Sequence, residues 1–325
     1  MLKHTLVASA LLALLSQSAL AADKVRWLND WLPAGDKAAI YLGVEQGLFA
    51  AEGIEVEIAS ARGGSDVVTK LATASADFGS AGLASVLQAK AQDDVPVVAV
   101  APIYNKQPDA FFTTEGSSIE SFKDIVGKTV ATPTFSASNV VWPLLLERNG
   151  IAADSVKLLK LDPGALAPML ATGKVDATIN WIPVAPGFER ALGEADKQLK
   201  ILPWSEYGFE GYGLSLVASQ RFLQSNPDLA KRFVKAYLQA NANAIADPAA
   251  AAAALKKMVP DVDQQQAEEQ FAASVPLMKN EIRDAEGQGF DAKRLATTWD
   301  WVARAQGLAL DSLDPATAID ARFAE

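Results

Sequence analysis

A short motif occurs twice in the chain, as Leu71-Ala-Thr-Ala-Ser-Ala-Asp77 and as Leu170-Ala-Thr-Gly-Lys-Val-Asp176, with Leu, Ala, Thr and Asp at identical spacing. A glycine turn precedes each copy, at Gly63-Gly64 and at Pro163-Gly164. Chance similarity among common residues is one explanation of such a match, and repetition of a structural unit is the other. We favour the second explanation and expect two similar α/β lobes.

Short β-rich runs alternate with helical stretches between residues 25 and 202, which is typical of βαβ units and parallel sheets. The stretch 38–50 shows the helical pattern, because Tyr41, Val44 and Leu48 fall on one face. Strands are predicted at 25–28, 54–58, 95–101, 129–131, 156–159 and 177–179. Each lobe is therefore expected to be a mainly parallel sheet flanked by helices.

The composition changes after Tyr212, where the chain becomes rich in Ala, Lys and Gln. Within this part, 211–218 reads as a buried strand that carries the chain back to the first lobe. Helices are predicted at 227–246, 263–280 and 291–306. We expect these C-terminal helices to pack on the first lobe.

The return of the chain to the first lobe at 211–218 predicts which residues belong to each lobe. Residues 22–104 with 213–325 form the first lobe, residues 105–212 form the second, and the hinges lie near 104–108 and 207–212. A cleft between two lobes that are joined in this way can close on a small ligand.

The composition excludes several classes of function. The chain has 325 residues, no cysteine, a single histidine (His4) and a formal net charge of −10. It therefore lacks the residues for disulfides, thiolate metal sites and a histidine general base beyond His4. Acidic charge without basic runs disfavours nucleic acid as a partner. We expect a binding protein rather than an enzyme, with no cofactor and no metal.

Residues 1–21 are typical of a secretory signal peptide. A basic start at Lys3 is followed by an apolar stretch and by Ala19-Leu20-Ala21, which matches the A-x-A cleavage pattern. A membrane anchor, the alternative, requires about 20 apolar residues. The sequence thus predicts a periplasmic protein without a membrane anchor, and we expect it to be monomeric.

Four segments resemble one known family in order and spacing. They are Ala38-Ala-Ile-Tyr-Leu-Gly-Val-Glu-Gln-Gly-Leu-Phe-Ala-Ala-Glu-Gly-Ile-Glu-Val-Glu57, Gly63-Gly-Ser-Asp66, Ala76-Asp-Phe-Gly-Ser-Ala81 and 203–219. The chain resembles the periplasmic solute-binding proteins of ABC importers, in the nitrate, sulfonate and taurine group, most closely the branch that binds thiamine pyrimidine precursors. The resemblance implies the two-lobed type II periplasmic-binding-protein fold, a small-molecule solute and an inner-membrane permease as partner.

The typical pairs of that branch are present as Asp30-Trp31 and Asn180-Trp181, together with Tyr212. Two positions depart from it, because Lys37 stands where the branch has a histidine and Ile182 where it tends to have Glu. The resemblance implies a planar, pyrimidine-like solute, with an alkyl sulfonate or another small anion as the alternative. The branch also includes a fungal pyrimidine synthase that uses its own histidine and a cysteine-rich cluster, and this chain has neither residue type after residue 21.

Aromatic side chains near predicted strand ends are candidates to stack on a planar ring. Trp31 follows a strand end, where ligands of parallel α/β lobes bind, and a ring on its indole gains about 0.5–1.5 kcal/mol beyond area burial. Trp181 and Tyr104 are candidates for the same reason, and Tyr104 also lies near a predicted hinge. Core packing is the alternative for all three.

Charged and hydroxyl side chains complete the predicted site. Lys37 is either solvated, the commoner state of a lysine, or paired with a ligand carboxylate or sulfonate. Asp30 either accepts a ligand N–H or only fixes its turn. Hydroxyls at helix starts bind an anion or a carbonyl oxygen, or simply cap the helix. The candidates are Ser65, Ser80, Thr134, Ser136 and Ser138.

Overall fold

The structure, a computed structural model, describes residues 22–279 and 289–324. The predicted signal peptide lies outside the described residues. Within them, the strands form two sheets of five strands each. We call each sheet with the helices that connect its strands a lobe.

The strands of the first lobe lie in the order β2 (Ile54–Ser60), β1 (Asp23–Asn29), β3 (Phe78–Gly82), β10 (Leu214–Ser219) and β4 (Val97–Pro102). β1 is parallel to β2 and β3, whereas β10 is antiparallel to β3 and β4. The predicted strand at 211–218 is confirmed as β10, which returns the chain from the second sheet to the first.

The strands of the second lobe lie in the order β7 (Lys157–Leu161), β6 (Thr129–Pro133), β8 (Ala177–Trp181), β5 (Asp109–Thr114) and β9 (Leu199–Pro203). β6 is parallel to β7 and β8, and β5 is antiparallel to β8 and β9. The two sheets thus share one plan, and the predicted pair of α/β lobes is confirmed. The exact lobe boundaries and the hinges near 104–108 and 207–212 stay predictions, because they concern which parts move.

Helices connect the strands and follow the last of them. They are α1 (Ala38–Glu45), α2 (Leu48–Ala51), α3 (Gly64–Ala72), α4 (Leu83–Asp93), α5 (Ser138–Arg148), α6 (Leu166–Ala171), α7 (Ala185–Gly193), α8 (Gln220–Ser225), α9 (Pro227–Ala246), α10 (Pro248–Met258), α11 (Gln264–Met278) and α12 (Ala292–Ala305). The predicted helix 38–50 is divided into α1 and α2 at Gly47, whose φ of 70° lies in the left-handed region. In the part of the chain that is described, no helix combines the length and apolarity that a bilayer span requires.

The repeated motif joins the same two strands in each lobe. Asp77 accepts a hydrogen bond from the backbone N–H of Arg26 at 2.9 Å, and Asp176 accepts one from the backbone N–H of Thr129 at 2.8 Å. The backbone N–H groups of the two aspartates donate in return to the carbonyl oxygens of the same partners, at 3.0 and 2.9 Å. Each copy of the motif therefore ties the residue before β3 or β8 to the neighbouring strand, at the middle of β1 or at the start of β6.

The sequence patterns miss β3, β5 and β9. β3 reads Phe-Gly-Ser-Ala-Gly, which has low intrinsic preference for a strand, yet all five residues are buried. Gly79 shows the reason, because a Cβ there would lie 2.7 Å from the carbonyl oxygen of Leu28 on β1. Small residues are required where neighbouring strands and helices approach this closely, and this requirement overrides strand propensity.

The last four helices divide into two pairs. α9 and α10 pack on α1 of the first lobe, as predicted for the C-terminal part. α11 contacts both the turn Gly35–Lys37 of the first lobe and α7 of the second, and α12 contacts both α4 and α5. Arg190 of α7 forms ion pairs with Asp263 and Glu269, each at 3.2 Å. Two of the C-terminal helices therefore span both lobes.

The two spanning helices also hold the two passages of chain between the sheets. On the first passage, the backbone N–H of Asn105 donates to the carbonyl oxygen of Leu277 in α11 at 2.8 Å. On the second, the backbone N–H of Tyr212 donates to Oγ1 of Thr298 in α12 at 2.9 Å. Each passage is thus fixed to its own helix.

The two copies of the motif predict different losses of stability. Asp77→Ala is expected to lower the free energy of unfolding by about 2–3 kcal/mol, because Asp77 also accepts from the Arg26 guanidinium at 2.7 Å and is buried. Asp176→Ala should cost about 1 kcal/mol, because Asp176 is exposed and the water around it replaces part of the lost bond. Urea denaturation of both variants measures the difference, and equal losses would contradict the assignment.

Candidate ligand-binding site

A cavity lies between the two lobes at the carboxyl ends of β1, β6 and β8, the edge at which open α/β sheets bind ligands. Its empty volume, including its open mouth, is about 420 Å³. The residues that line it come from both lobes: Asp30, Trp31, Asp36, Lys37, Gly63, Gly64, Pro133, Ser136, Ala137, Asn180, Trp181 and Val184. Six of the predicted site residues thus share one cavity.

Lys37 is buried, which excludes the first of the two alternatives considered for it, that of a solvated side chain. Only 3% of its side chain is exposed, and its ammonium nitrogen lies 2.9 Å from Oδ1 of Asp30 and 2.9 Å from Oδ2 of Asp36. Burial acts to lower the pKa of Lys37, but the two carboxylates outweigh it and hold that pKa above its ordinary value. A buried charge persists only when it is paired, and here the protein itself supplies the partners. We call Asp30, Lys37 and Asp36 the ion triad.

Two further side chains orient the carboxylates of the ion triad from behind the cavity. Ser80 donates to Oδ1 of Asp30 at 2.8 Å, and the hydroxyl of Tyr104 donates to Oδ2 of Asp36 at 3.4 Å. Both are buried, and burial raises the pKa of Tyr104 well above its ordinary value. Ser80 and Tyr104 therefore support the cavity wall without being part of its lining. Among the described residues, no group of three or more His, Cys, Asp and Glu side chains is arranged to bind a metal ion.

Asp36 is a cavity residue that the sequence reasoning missed. The available signal was its position beside Lys37 at the start of an apolar helix, where a buried lysine needs a carboxylate. Oδ2 of Asp36 is occupied by the ion triad, but Oδ1 is buried and has no hydrogen-bond partner among the described residues. On the second lobe, Oδ1 of Asn180 is in the same condition, while its Nδ2 donates to Oγ1 of Thr178 at 2.6 Å. One residue of the cavity lining from each lobe therefore carries a buried acceptor without a partner among the described residues.

The two tryptophans of the cavity each contact the opposite lobe. Trp31, which follows β1, packs against the apolar cluster of the second lobe to which Phe112 belongs. Trp181, which ends β8, packs against the core of the first lobe, with its ring centre 6.1 Å from that of Tyr104 and 5.5 Å from the ammonium of Lys37. Both indoles are only half-buried, so each retains surface towards the cavity.

Asp109 is a further buried carboxylate beside the site, and no sequence pattern indicated it. It pairs in register with Trp181, whose Nε1 donates to Oδ1 of Asp109 at 3.1 Å, and Ser138 donates to the same oxygen. Burial raises the pKa of Asp109 to about 6, although both hydrogen bonds act in the opposite direction. Asp109 thus fixes the plane of the Trp181 indole.

The hydroxyl groups after β6 are hydrogen-bonded within the protein. Ser136 lines the cavity and donates to Ser138 at 2.9 Å, and Ser138 in turn donates to Asp109. Thr134 donates to the carbonyl oxygen of Leu161 at 3.3 Å. Of these three predicted site residues, Ser136 reaches the cavity, whereas Ser138 and Thr134 organise the loop.

Two other predicted site residues lie outside the cavity lining. The hydroxyl of Ser65 lies 3.3 Å from that of Ser85. The hydroxyl of Tyr212 accepts from the backbone N–H of Asp291 at 2.6 Å, and its ring packs edge-on against Phe290 at 5.0 Å. Both side chains are engaged in contacts within the protein, and their roles in binding stay predictions.

The lobes also contact each other directly beside the cavity. The backbone N–H of Ser65 donates to the carbonyl oxygen of Phe135 at 3.1 Å, and the Arg62 guanidinium lies 4.6 Å from the centre of the Phe135 ring. Gly63, with a φ of 147°, leaves no room for a side chain, since a Cβ there would lie 2.2 Å from the same carbonyl oxygen. We call Arg62–Ser65 with Phe135 the latch. It joins the two lobes through protein atoms alone.

Comparison with known proteins identifies the family. The family model described as NMT1/THI5 like matches residues 35–251, which is about two thirds of the chain. The chain belongs to the NMT1/THI5-like family. The expected resemblance to solute-binding proteins near the thiamine-precursor branch is thereby confirmed.

Relatives of this NMT1/THI5-like chain have different names. The riboflavin-binding protein RibY of Chloroflexus aurantiacus is 26% identical over 305 residues, covering 90% of this chain and 84% of RibY. The 4-amino-5-hydroxymethyl-2-methylpyrimidine phosphate synthase of Schizosaccharomyces pombe is 25% identical over 239 residues, covering 70% of this chain and 67% of the synthase. The alkanesulfonate-binding protein SsuA of Xanthomonas axonopodis pv. citri, solved with bound MOPS, has a TM-score of 0.70 at 18% identity and covers 92% of this chain and 99% of its own. SsuA shares the periplasmic-binding-protein fold that was predicted.

The raised pKa of Asp109 predicts a pH dependence of stability. Below about pH 4 the carboxyl is protonated in both the folded and the unfolded chain, and between about pH 4 and 6 only the unfolded chain ionises, which lowers the free energy of unfolding. Asp109→Asn removes this titration. The stability of the wild type minus that of the variant should fall by up to about 3 kcal/mol between pH 4 and 7, measured in urea. Asp176→Asn, at an exposed site, serves as the control, and a pH-independent difference for Asp109→Asn would contradict the assignment.

The latch predicts the effect of a single methyl group. Gly63→Ala should force the lobes apart, because the new Cβ overlaps the carbonyl oxygen of Phe135. Small-angle X-ray scattering should then give a larger radius of gyration than for the wild type. Gly116→Ala is the matched control, since Gly116 also has a positive φ, of 74°, but has open space around its Cα. An unchanged radius in Gly63→Ala would show that the latch does not hold the lobes together.

Proposed function

We propose that this chain is the periplasmic substrate-binding protein of an ABC uptake transporter, and that it encloses a small planar, heteroaromatic, pyrimidine-like solute between its lobes. The binding role follows the NMT1/THI5-like family and relatives such as RibY and SsuA, which are named as binding proteins. The choice of solute depends on the chemistry of the cavity.

The ion triad is the observation that favours a planar heteroaromatic over an anion. An anion site needs a cation with free hydrogen-bond donors, and Lys37 is the one cation in the described cavity lining. Its charge is already matched by Asp30 and Asp36, so the lining carries a net negative charge. An alkyl sulfonate, the alternative solute, would meet like charge in a site of low dielectric constant.

The two half-buried indoles support a planar solute. Trp31 and Trp181 approach the cavity from opposite lobes, so a flat ring that contacts both gains from lobe closure. Such a ligand favours the closed state only by the difference between its affinities for the closed and open states. Riboflavin, for which RibY is named, and the pyrimidine in the name of the yeast enzyme are both planar heteroaromatic compounds.

We propose binding rather than catalysis, although one relative is named as a synthase. The chain has no cysteine, and its single histidine, His4, stands in the predicted signal peptide. Both carboxylates of the described cavity lining, Asp30 and Asp36, are ion-paired with Lys37. The predicted signal peptide at 1–21 supports export to the periplasm, where an inner-membrane permease would receive the solute.

Trp31→Ala tests this proposal. The ligand-free variant should melt at a lower temperature than the wild type, because Trp31 packs against the second lobe. Aromatic heterocycles should no longer raise the melting temperature of the variant as they do that of the wild type. Leu32→Ala, at the neighbouring residue that is 46% exposed, is the control and should retain the shift.

The ligand panel for this test contains pyrimidines, purines and flavins on one side, and taurine, methanesulfonate and nitrate on the other. Stabilisation by a heterocycle supports the proposal. Stabilisation by sulfonates alone, unaffected by Trp31→Ala, would replace it with the anion alternative.

A further inference from the structure

We propose that the cavity selects ligands by hydrogen-bond polarity, taking planar rings that are neutral or cationic and that carry at least two N–H or O–H donors, one directed to each lobe. The two acceptors are Oδ1 of Asp36 and Oδ1 of Asn180. This inference rests on the proposed function and names the chemical class of its solute.

The first acceptor belongs to the first lobe. Asp36 is 5% exposed and lies in the cavity lining. Its Oδ2 is occupied by Lys37 at 2.9 Å and by Tyr104 at 3.4 Å, which leaves Oδ1 as the unpartnered atom. A carboxylate oxygen forms strong hydrogen bonds with N–H donors, and a buried one without a donor is unfavourable.

The second acceptor belongs to the second lobe. Asn180 is 3% exposed, lies at the end of β8 and also lines the cavity. Its Nδ2 donates to Thr178 on the same strand, which leaves Oδ1 as the unpartnered atom of the amide. A ring whose donors reach both oxygens therefore links the lobes. Each hydrogen bond that it forms in the closed state supplies a partner to a buried oxygen that otherwise has none.

The ion triad strengthens the same selection. Two carboxylates against one ammonium leave the wall near Asp36 negatively charged, so amino-substituted or protonated rings are attracted and acceptor-only rings are repelled. A sulfonate offers acceptors alone and cannot satisfy either orphan oxygen. Polarity and charge thus exclude the same class of solute.

Matched ring pairs test the inference by isothermal titration calorimetry. Each pair has the same ring with two amino groups or with two methoxy groups, beginning with 2,4-diaminopyrimidine and 2,4-dimethoxypyrimidine and extending to the corresponding purines. The diamino ring of at least one pair should bind about tenfold or more tightly than its partner, the effect of one well-formed hydrogen bond to a charged acceptor.

Two variants assign the preference to the named oxygens. In Asp36→Asn the amide oxygen stays on Lys37 and Tyr104, so an NH₂ group faces the ligand and the preference should shift towards the dimethoxy ring. Asn180→Asp keeps an acceptor in place, so it should retain the preference of the wild type. Melting temperatures of the ligand-free variants verify that both are folded, and if Asp36→Asn is not, Asn180→Leu should reduce the preference instead.

The outcomes separate the two levels of the proposal. Equal binding of diamino and dimethoxy rings, or a preference that Asp36→Asn and Asn180→Leu leave unchanged, overturns the polarity inference while the proposed function stands. Failure of every ring, whatever its substituents, overturns the proposed function and the inference with it.

Discussion

The pairing of Lys37 with Asp30 and Asp36 is the interaction on which the site depends. An unpaired ammonium could not remain buried at the end of β1, and two unpaired carboxylates could not remain beside each other. Ser80 of β3 and Tyr104 of the first passage between the sheets attach this ion triad to the rest of the first lobe. The position of Trp181 follows as well, because its ring lies against the ammonium. The electrostatic character of the cavity is thus set by two ion pairs within one lobe.

Much of the architecture can be predicted from the sequence, because the repeated Leu-Ala-Thr motif with its aspartate ties two strands together in each lobe. The strand β3 could not be predicted, because Gly79 is required by the close approach of β1, and Gly82 by that of Ala137 in the second lobe, rather than by local preference. The site was predictable only in part. Trp31 and Trp181 lie at strand ends and could be found, and the signal for Asp36 was its position beside Lys37. Asp109, by contrast, is bound by Ser138 and Trp181, which are distant from it in sequence. Burial of Lys37 could not be predicted, since it depends on carboxylates that only the fold brings together.

Two features of the cavity act on the contact between the lobes in opposite directions. The latch of Arg62–Ser65 with Phe135 is formed by protein atoms and needs no ligand. The unpartnered oxygens of Asp36 and Asn180 are unfavourable in the buried cavity until a donor reaches them. On the proposed function, a ligand that supplies both donors favours the closed state by the difference between its affinities for the closed and the open state. The buried Asp109 adds a dependence of folding stability on pH.

The contacts of α11 and α12 with the two passages of chain have a consequence for how the lobes can move. Asn105 is tied to one helix and Tyr212 to the other, so the two passages of chain are anchored separately, each to a helix that contacts both lobes. Two anchor points define a line. A rotation of one lobe against the other that kept both hydrogen bonds would have to take place about the line that joins them.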